Sequence, residues 1–90
     1  MRVLVTETLS EQGLELLSKD FQVDVRTDLA AGQLAAEIGP YDALIIRSAT
    51  RVTAPVLDAG VDLVVVGRAG IGLDNVDVEA ATTHGVMVVN

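Results

Sequence analysis

Two stretches of the chain carry residues that could handle an anion. One is Arg47-Ser48-Ala49-Thr50-Arg51; the other is Gly67-Arg68-Ala69-Gly70-Ile71-Gly72. A guanidinium can grip a carboxylate or phosphate through two parallel hydrogen bonds. Glycines beside it let a ligand approach bare backbone N–H groups. The structural alternative has Arg47 and Arg68 pairing with Asp42, Asp62 or Asp74 while the glycines turn the chain, and spacing alone leaves both readings open. Gly70-Ile71-Gly72 begins like a dinucleotide fingerprint, but Asn75 stands where the third glycine belongs and no acid follows about 20 residues on. His84 is the single histidine. It sits just before Gly85 at the end of a predicted helix, where a positive side chain favours the helix dipole. With no carboxylate evidently placed to orient it, a structural role is expected rather than a catalytic one. No catalytic residue and no metal ligand set is expected within the chain.

Composition narrows the partners. Thirteen acids against six basic residues give a net charge of −7, which argues against nucleic acid and anionic membranes, since phosphate surfaces reward clustered Lys and Arg. A small anion is compatible with this charge only where arginine is locally concentrated. There is no cysteine, so there is neither a disulfide framework nor a thiolate site. No apolar run approaches the roughly 20 residues that cross a bilayer, and the opening residues do not form a signal peptide. A cytoplasmic location is expected. Ninety residues make one domain, 1–90, with an aliphatic core because only two residues are aromatic.

The elements that must position the arginines recur along the chain. Five β-branched runs are centred on Val3–Val5, Gln22–Arg26, Ala43–Ile46, Leu63–Val66 and Val86–Val89, and segments with helical spacing separate them. Such alternation predicts βαβ units and a parallel sheet. In the second run Val23 and Val25 face one way and Gln22, Asp24 and Arg26 the other, which marks a half-exposed edge strand. The other runs are apolar throughout. Placing the second strand at an edge selects a flavodoxin-like α/β fold of strand order 2-1-3-4-5, with helices on both faces. The fifth strand then forms the opposite edge, and its two apolar faces predict that something covers it. Ser10 is expected to cap the first helix, with Leu9 and Leu14 as a hydrophobic staple. Thr53 is the expected cap of the third and Asp77 of the fourth, which Gly85 ends. The second helix has no good cap unless Asp28 serves, and fraying is expected there.

Ligands of open parallel sheets bind beyond the carboxyl ends of the strands. The third and fourth strands are neighbours in this order, so Arg47 and Arg68 fall on one edge. A phosphoryl-accepting receiver would need paired acids after the first strand, an Asp after the third and a Lys after the fifth. The chain has Thr6-Glu7-Thr8, Arg47 and Asn90 instead. An FMN site would need a glycine in the first connector, and Thr6-Glu7-Thr8-Leu9 has none.

The segments 46–53 (IRSATRVT) and 67–82 (GRAGIGLDNVDVEAAT) resemble the substrate-binding domain of the D-2-hydroxyacid dehydrogenase family. The Arg-Ser-Ala-Thr and Gly-Arg-Ala-Gly combination is similar to its D-3-phosphoglycerate dehydrogenase branch. The opening Val3-Leu4-Val5-Thr6 and the closing Gly85–Asn90 extend the resemblance over essentially the whole chain. It implies oxidation of 3-phosphoglycerate to 3-phosphohydroxypyruvate with NAD, the first step of serine synthesis. Arg47 and Ser48 would face the substrate phosphate. Arg68 and the backbone of Ala69, Gly70, Ile71 and Gly72 would line the cleft, hold the substrate carboxylate and reach the nicotinamide at Ile71. The family's catalytic Arg, Glu and His and its NAD domain have no counterpart in these 90 residues. The chain therefore reads as an excised, engineered or fragmentary substrate domain. Alone, it is expected to hold no cofactor, to bind 3-phosphoglycerate weakly if at all, and to lack dehydrogenase activity. The other reading is a ligand-free folding or self-association module, with a homodimer formed through the fifth strand or the helices beside it.

Overall fold

The computed structural model describes residues 1–30, 32–70 and 72–90. Its elements are β1 (Arg2–Val5), α1 (Glu11–Asp20), β2 (Gln22–Val25), α2 (Gln33–Glu37), β3 (Ala43–Ile46), α3 (Ala54–Ala59), β4 (Val65–Arg68), α4 (Val78–Thr83) and β5 (Met87–Val89). All five strands are parallel, in the order β2-β1-β3-β4-β5. This is the order expected from the polar alternation of the second strand.

Successive residues of a strand face opposite sides of the sheet, and the two sides are filled unequally. Leu4, Leu44, Ile46 and Val66 face α2, α3 and α4, and with Leu34, Ile38, Val56, Leu57 and Ala81 they form the main core. Val3, Val5 and Ala43 face the other way, under Leu9 and Leu14 at the start of α1. Helix α1 buries none of its residues fully. On that second face Ile45 and Val65 are half-buried, and at the β5 edge Met87 and Val89 are 64% and 43% exposed. Among the described residues nothing covers that edge, which the sequence had marked as needing a cover.

The helix ends follow their capping residues with two exceptions, at α3 and α2. The Ser10 hydroxyl accepts from Gly13 N–H at 3.1 Å, and Asp77 accepts from Ala80 N–H at 3.0 Å. Gly85 takes φ 71° just past α4, a left-handed turn that suits glycine. Thr53 occupies the cap position of α3, but its side chain makes no capping hydrogen bond. Asp28 does not cap α2, because its carboxylate is bonded to Arg26 Nε at 3.1 Å. Instead Gln33 reaches back to accept from Ala30 N–H at 2.6 Å, and α2 is only five residues long.

Four strands differ from expectation at their ends: β1 begins at Arg2 and β2 ends at Val25. β5 begins at Met87 instead of Val86. β4 runs over Val65–Arg68 and not Leu63–Val66, because β3 sets its register: Ala43 pairs with Val65, and Ile46 with Arg68. Hydrophobicity placed the strand on the apolar run, whereas the neighbouring ladder carries it two residues further. Arg68 therefore belongs to the strand and not to the connector after it. Val25, expected to face inward on β2, is 46% exposed, since the single helix on that face packs no further out than Val23.

Candidate functional site

The carboxyl ends of β1, β3 and β4 are joined by hydrogen bonds between their three connectors. Glu7, which follows β1 after Thr6, is the central acceptor. Its carboxylate takes the N–H of Arg47, that of Ala49 at 2.9 Å and that of Thr50 at 3.1 Å. Beside it the Thr6 and Thr50 hydroxyls share a 2.8 Å bond. Burial pushes the Glu7 carboxyl up, but the N–H groups of Ala49, Arg47 and Thr50 and the Thr50 hydroxyl outweigh it, so its pKa falls below the usual 4.5.

Asn75 holds the same loop from the opposite side. Its Nδ2 donates to the carbonyls of Arg47 at 2.7 Å and Thr50 at 2.6 Å, and the residue is 8% exposed. Val52 and Val76 then pair as a parallel bridge, through Val52 N–H to Asn75 carbonyl and Asp77 N–H to Val52 carbonyl, both 2.9 Å. Loop 47–50 thus has its N–H groups bound by an acid from one connector and its carbonyls by an amide from another.

The two arginines behave differently. Arg47 and Ser48 are exposed at the loop tip. The Arg47 Nη1 donates to the Thr8 carbonyl at 3.3 Å, and among the described residues its guanidinium forms no ion pair. Arg68 folds onto its own connector. Its side chain is 9% exposed, Nη1 donates to the Gly72 carbonyl at 2.8 Å, and Nη2 lies 3.7 Å from Asp74. Gly72 turns the chain at φ 85°, a conformation open to glycine. The Asp74 pairing left open by the sequence is therefore present, and in this state Arg68 shapes the glycine loop. Ala69, Gly70 and Gly72 are exposed on the same edge, and Ala69 N–H bonds the Ile46 carbonyl at 2.8 Å. Ile71, the expected nicotinamide contact, lies outside the described residues.

Next to this edge a cleft of about 810 Å³ runs between α2 and α3 at the ends of β1–β3. Glu7, Arg47, Thr50 and Arg51 line its polar side, and Leu34 and Val56 its apolar side. Arg47 and loop 47–50 border both the cleft and the glycine edge.

His84 has a partner the sequence did not disclose. Its Nε2 lies 2.6 Å from the Asp58 carboxylate on α3, and Nδ1 donates to the Ala80 carbonyl at 2.8 Å. The Ala80 carbonyl and then the Asp58 carboxylate raise its pKa above 6.5. The pair ties α4 to α3, and it supplies a carboxylate beside His84 that no sequence pattern marked.

Glu7 and Asn75 were the residues sequence reasoning passed over. Glu7 counted only as a mismatch to two other folds, and Asn75 as a failed glycine and part of the family-like segment, with no role of its own. Their common signal is position: polar residues in connectors at the carboxyl ends of strands that the order 2-1-3-4-5 makes neighbours.

The first connector has no glycine, and the N–H groups gathered beside it already hold the Glu7 carboxylate. The start of α4 is capped by Asp77, an acid where a pyrophosphate would need donors. Among the described residues no group of three or more His, Cys, Asp or Glu could hold a metal ion, and no helix is long and apolar enough to cross a membrane.

Residues 3–90 match the family model described as the D-isomer specific 2-hydroxyacid dehydrogenase, catalytic domain. The chain is 51% identical over 90 residues to chloroplastic D-3-phosphoglycerate dehydrogenase 2 of Arabidopsis thaliana, covering 99% of itself and 14% of that relative. It is 44% identical over 89 residues to D-3-phosphoglycerate dehydrogenase of Synechocystis, covering 99% and 16%. The chain thus spans about one sixth of the length of the curated relatives it matches. Among solved structures it superposes on a Pyrococcus horikoshii protein with TM-score 0.93 at 31% identity, covering 97% of this chain and 26% of that one. It also superposes on NAD+-bound 3-phosphoglycerate dehydrogenase of Entamoeba histolytica, with TM-score 0.85 at 25% identity and coverage of 98% and 32%.

Proposed function

Since the chain belongs to the D-isomer specific 2-hydroxyacid dehydrogenases, through their catalytic domain, we propose that it forms the substrate-contacting wall of a cytoplasmic, NAD-dependent 3-phosphoglycerate dehydrogenase of serine synthesis. The observation that carries this reading is the latched edge itself. Arg47 and Ser48 stand exposed on a loop fixed from both sides, beside the open glycine backbone of the next connector. Arg47 and Ser48 take the substrate phosphate. Ala69, Gly70 and Gly72 offer backbone to the carboxylate end, and Arg68 either holds that loop in shape or turns outward to meet the carboxylate. The nicotinamide contact is assigned to Ile71 by the family resemblance alone. The relatives at 44–51% identity over the whole chain are phosphoglycerate dehydrogenases, which favours this substrate within the family.

Residues 1–90 act as one substrate-binding domain. NAD belongs to the remainder of such an enzyme, because the connectors here present acids where a dinucleotide needs donors. The isolated chain therefore binds no cofactor and transfers no hydride, and hydride transfer from 3-phosphoglycerate to NAD by the purified 90 residues would refute this. Titration of 3-phosphoglycerate while following backbone amide shifts tests the wall. Changes confined to Arg47, Ser48 and Gly70–Gly72 are expected at high ligand concentration, and changes centred elsewhere would overturn the assignment.

A second reading, self-association as a homodimer, is favoured by Met87 and Val89, which leave apolar surface on an unpaired edge strand. Sedimentation at high micromolar concentration should give a dimer, and a monomer there would count against it.

A further inference from the structure

We propose that Glu7 is a positioning residue of the substrate wall, holding the backbone of loop 47–50 in the conformation from which Arg47 and Ser48 meet an anionic group. The inference rests on the reading of that loop as the substrate contact.

Three N–H groups from a four-residue loop converge on this one carboxylate. The Asn75 amide takes two carbonyls of the same loop. Glu7 lies 40 residues from Arg47 in the chain, so the contact exists only because β1 and β3 are neighbours in the sheet. With the backbone groups committed inward, the Arg47 and Ser48 side chains are left at the exposed tip. Hydrogen bonds to a charged acceptor are the stronger kind, and fixing a loop before a ligand arrives removes an ordering cost from binding.

Charge alone makes the opposite prediction. A carboxylate beside an anion site repels the ligand, so removing it without loss of position should tighten binding. A carboxylate that merely competed for the N–H groups would behave the same way. The sign of the change therefore separates positioning from repulsion or competition.

The test compares the 90-residue chain with Glu7→Gln and Arg47→Ala, using amide-shift titrations with 3-phosphoglycerate and with inorganic phosphate. Glu7→Gln is nearly isosteric, and retained dispersion of the sheet amides shows that it folds. It should weaken 3-phosphoglycerate binding by about tenfold, the scale of one charged hydrogen bond, and speed amide exchange at Ala49 and Thr50. Glu7→Asp keeps the charge with a shorter reach, so a loss of affinity in it reports position and not charge. Equal or tighter binding by Glu7→Gln overturns the proposal, as does unchanged exchange at Ala49 and Thr50. If the parent chain does not respond to ligand, amide exchange decides alone: unchanged exchange at Ala49 and Thr50 in Glu7→Gln overturns the inference. Binding that needs Arg47 but ignores Glu7 overturns the inference alone.

Discussion

The two faces of the sheet are built from the same kind of strand and end in different states. On one, three helices enclose Leu4, Leu44, Ile46 and Val66 completely. On the other, one helix shelters Val3, Val5 and Ala43, and coverage fades across Ile45 and Val65 to the exposed Met87 and Val89. Burial is thus decided by how many helices a face receives and not by the hydrophobicity of its strands. The carboxyl edge of the sheet lies where both faces end, and it is held by polar groups. Glu7 and Asn75 do there what apolar packing does in the core.

Neighbouring residues on opposite faces give the sharpest test. Leu44→Ala should cost about 2–5 kcal/mol by emptying a closed site. Ile45→Ala, half-exposed, should cost roughly 1 kcal/mol. Denaturant melts of the two variants check this, and equal losses would mean that the second face is covered in solution. At the edge, Asn75→Ala leaves the Arg47 and Thr50 carbonyls without their donor and should cost about 1–3 kcal/mol. Ser48→Ala, exposed on the same loop, should stay within about 0.5 kcal/mol. If the two are alike, the amide latch carries no weight. On the open face Met87→Lys should also change stability by no more than about 0.5 kcal/mol, while abolishing any dimer seen by sedimentation. A large fall in melting temperature would place Met87 in a buried contact.

The smallest effect belongs to the pair between α3 and α4 on the covered face. His84 has a folded pKa raised above 6.5, so the pair stabilises fully below that unfolded value, and the contribution is lost as pH rises through the folded one. Asp58→Asn should lower the titration midpoint of the His84 ring in NMR spectra. It should reduce the melting temperature more at about pH 5.5 than at about pH 8.5. Glu7 has the opposite sign. Its folded pKa lies below 4.5, so its stabilisation is present above that value and is lost as pH falls through the folded pKa. Glu7→Gln should therefore flatten the acid limb of the stability profile.

Much of the scaffold was legible because its signals are local. The alternation of Gln22–Arg26 put β2 at an edge, Ser10 and Asp77 marked helix starts, and those readings led to the strand order. The frame of β4 was not legible, because an apolar run extends past the residues that β3 pairs. Nor was the state of Arg68: spacing left a ligand contact and an acid pairing equally open, and the fold turns it onto the Gly72 carbonyl and Asp74.

The sequence by itself determined the family, the strand order and the edge on which Arg47 and the glycines stand. The order and the edge follow from residue type and spacing within about 20 positions, and the family from a resemblance along essentially the whole chain. Only the tertiary structure decided that Glu7 and Asn75 hold that edge, that His84 has an acid beside it, and that one face of the sheet stays open. The contacts among them join residues 25 to 43 positions apart, and they arise when a parallel sheet brings successive connectors to one end. No local pattern records which acid will meet which N–H group there.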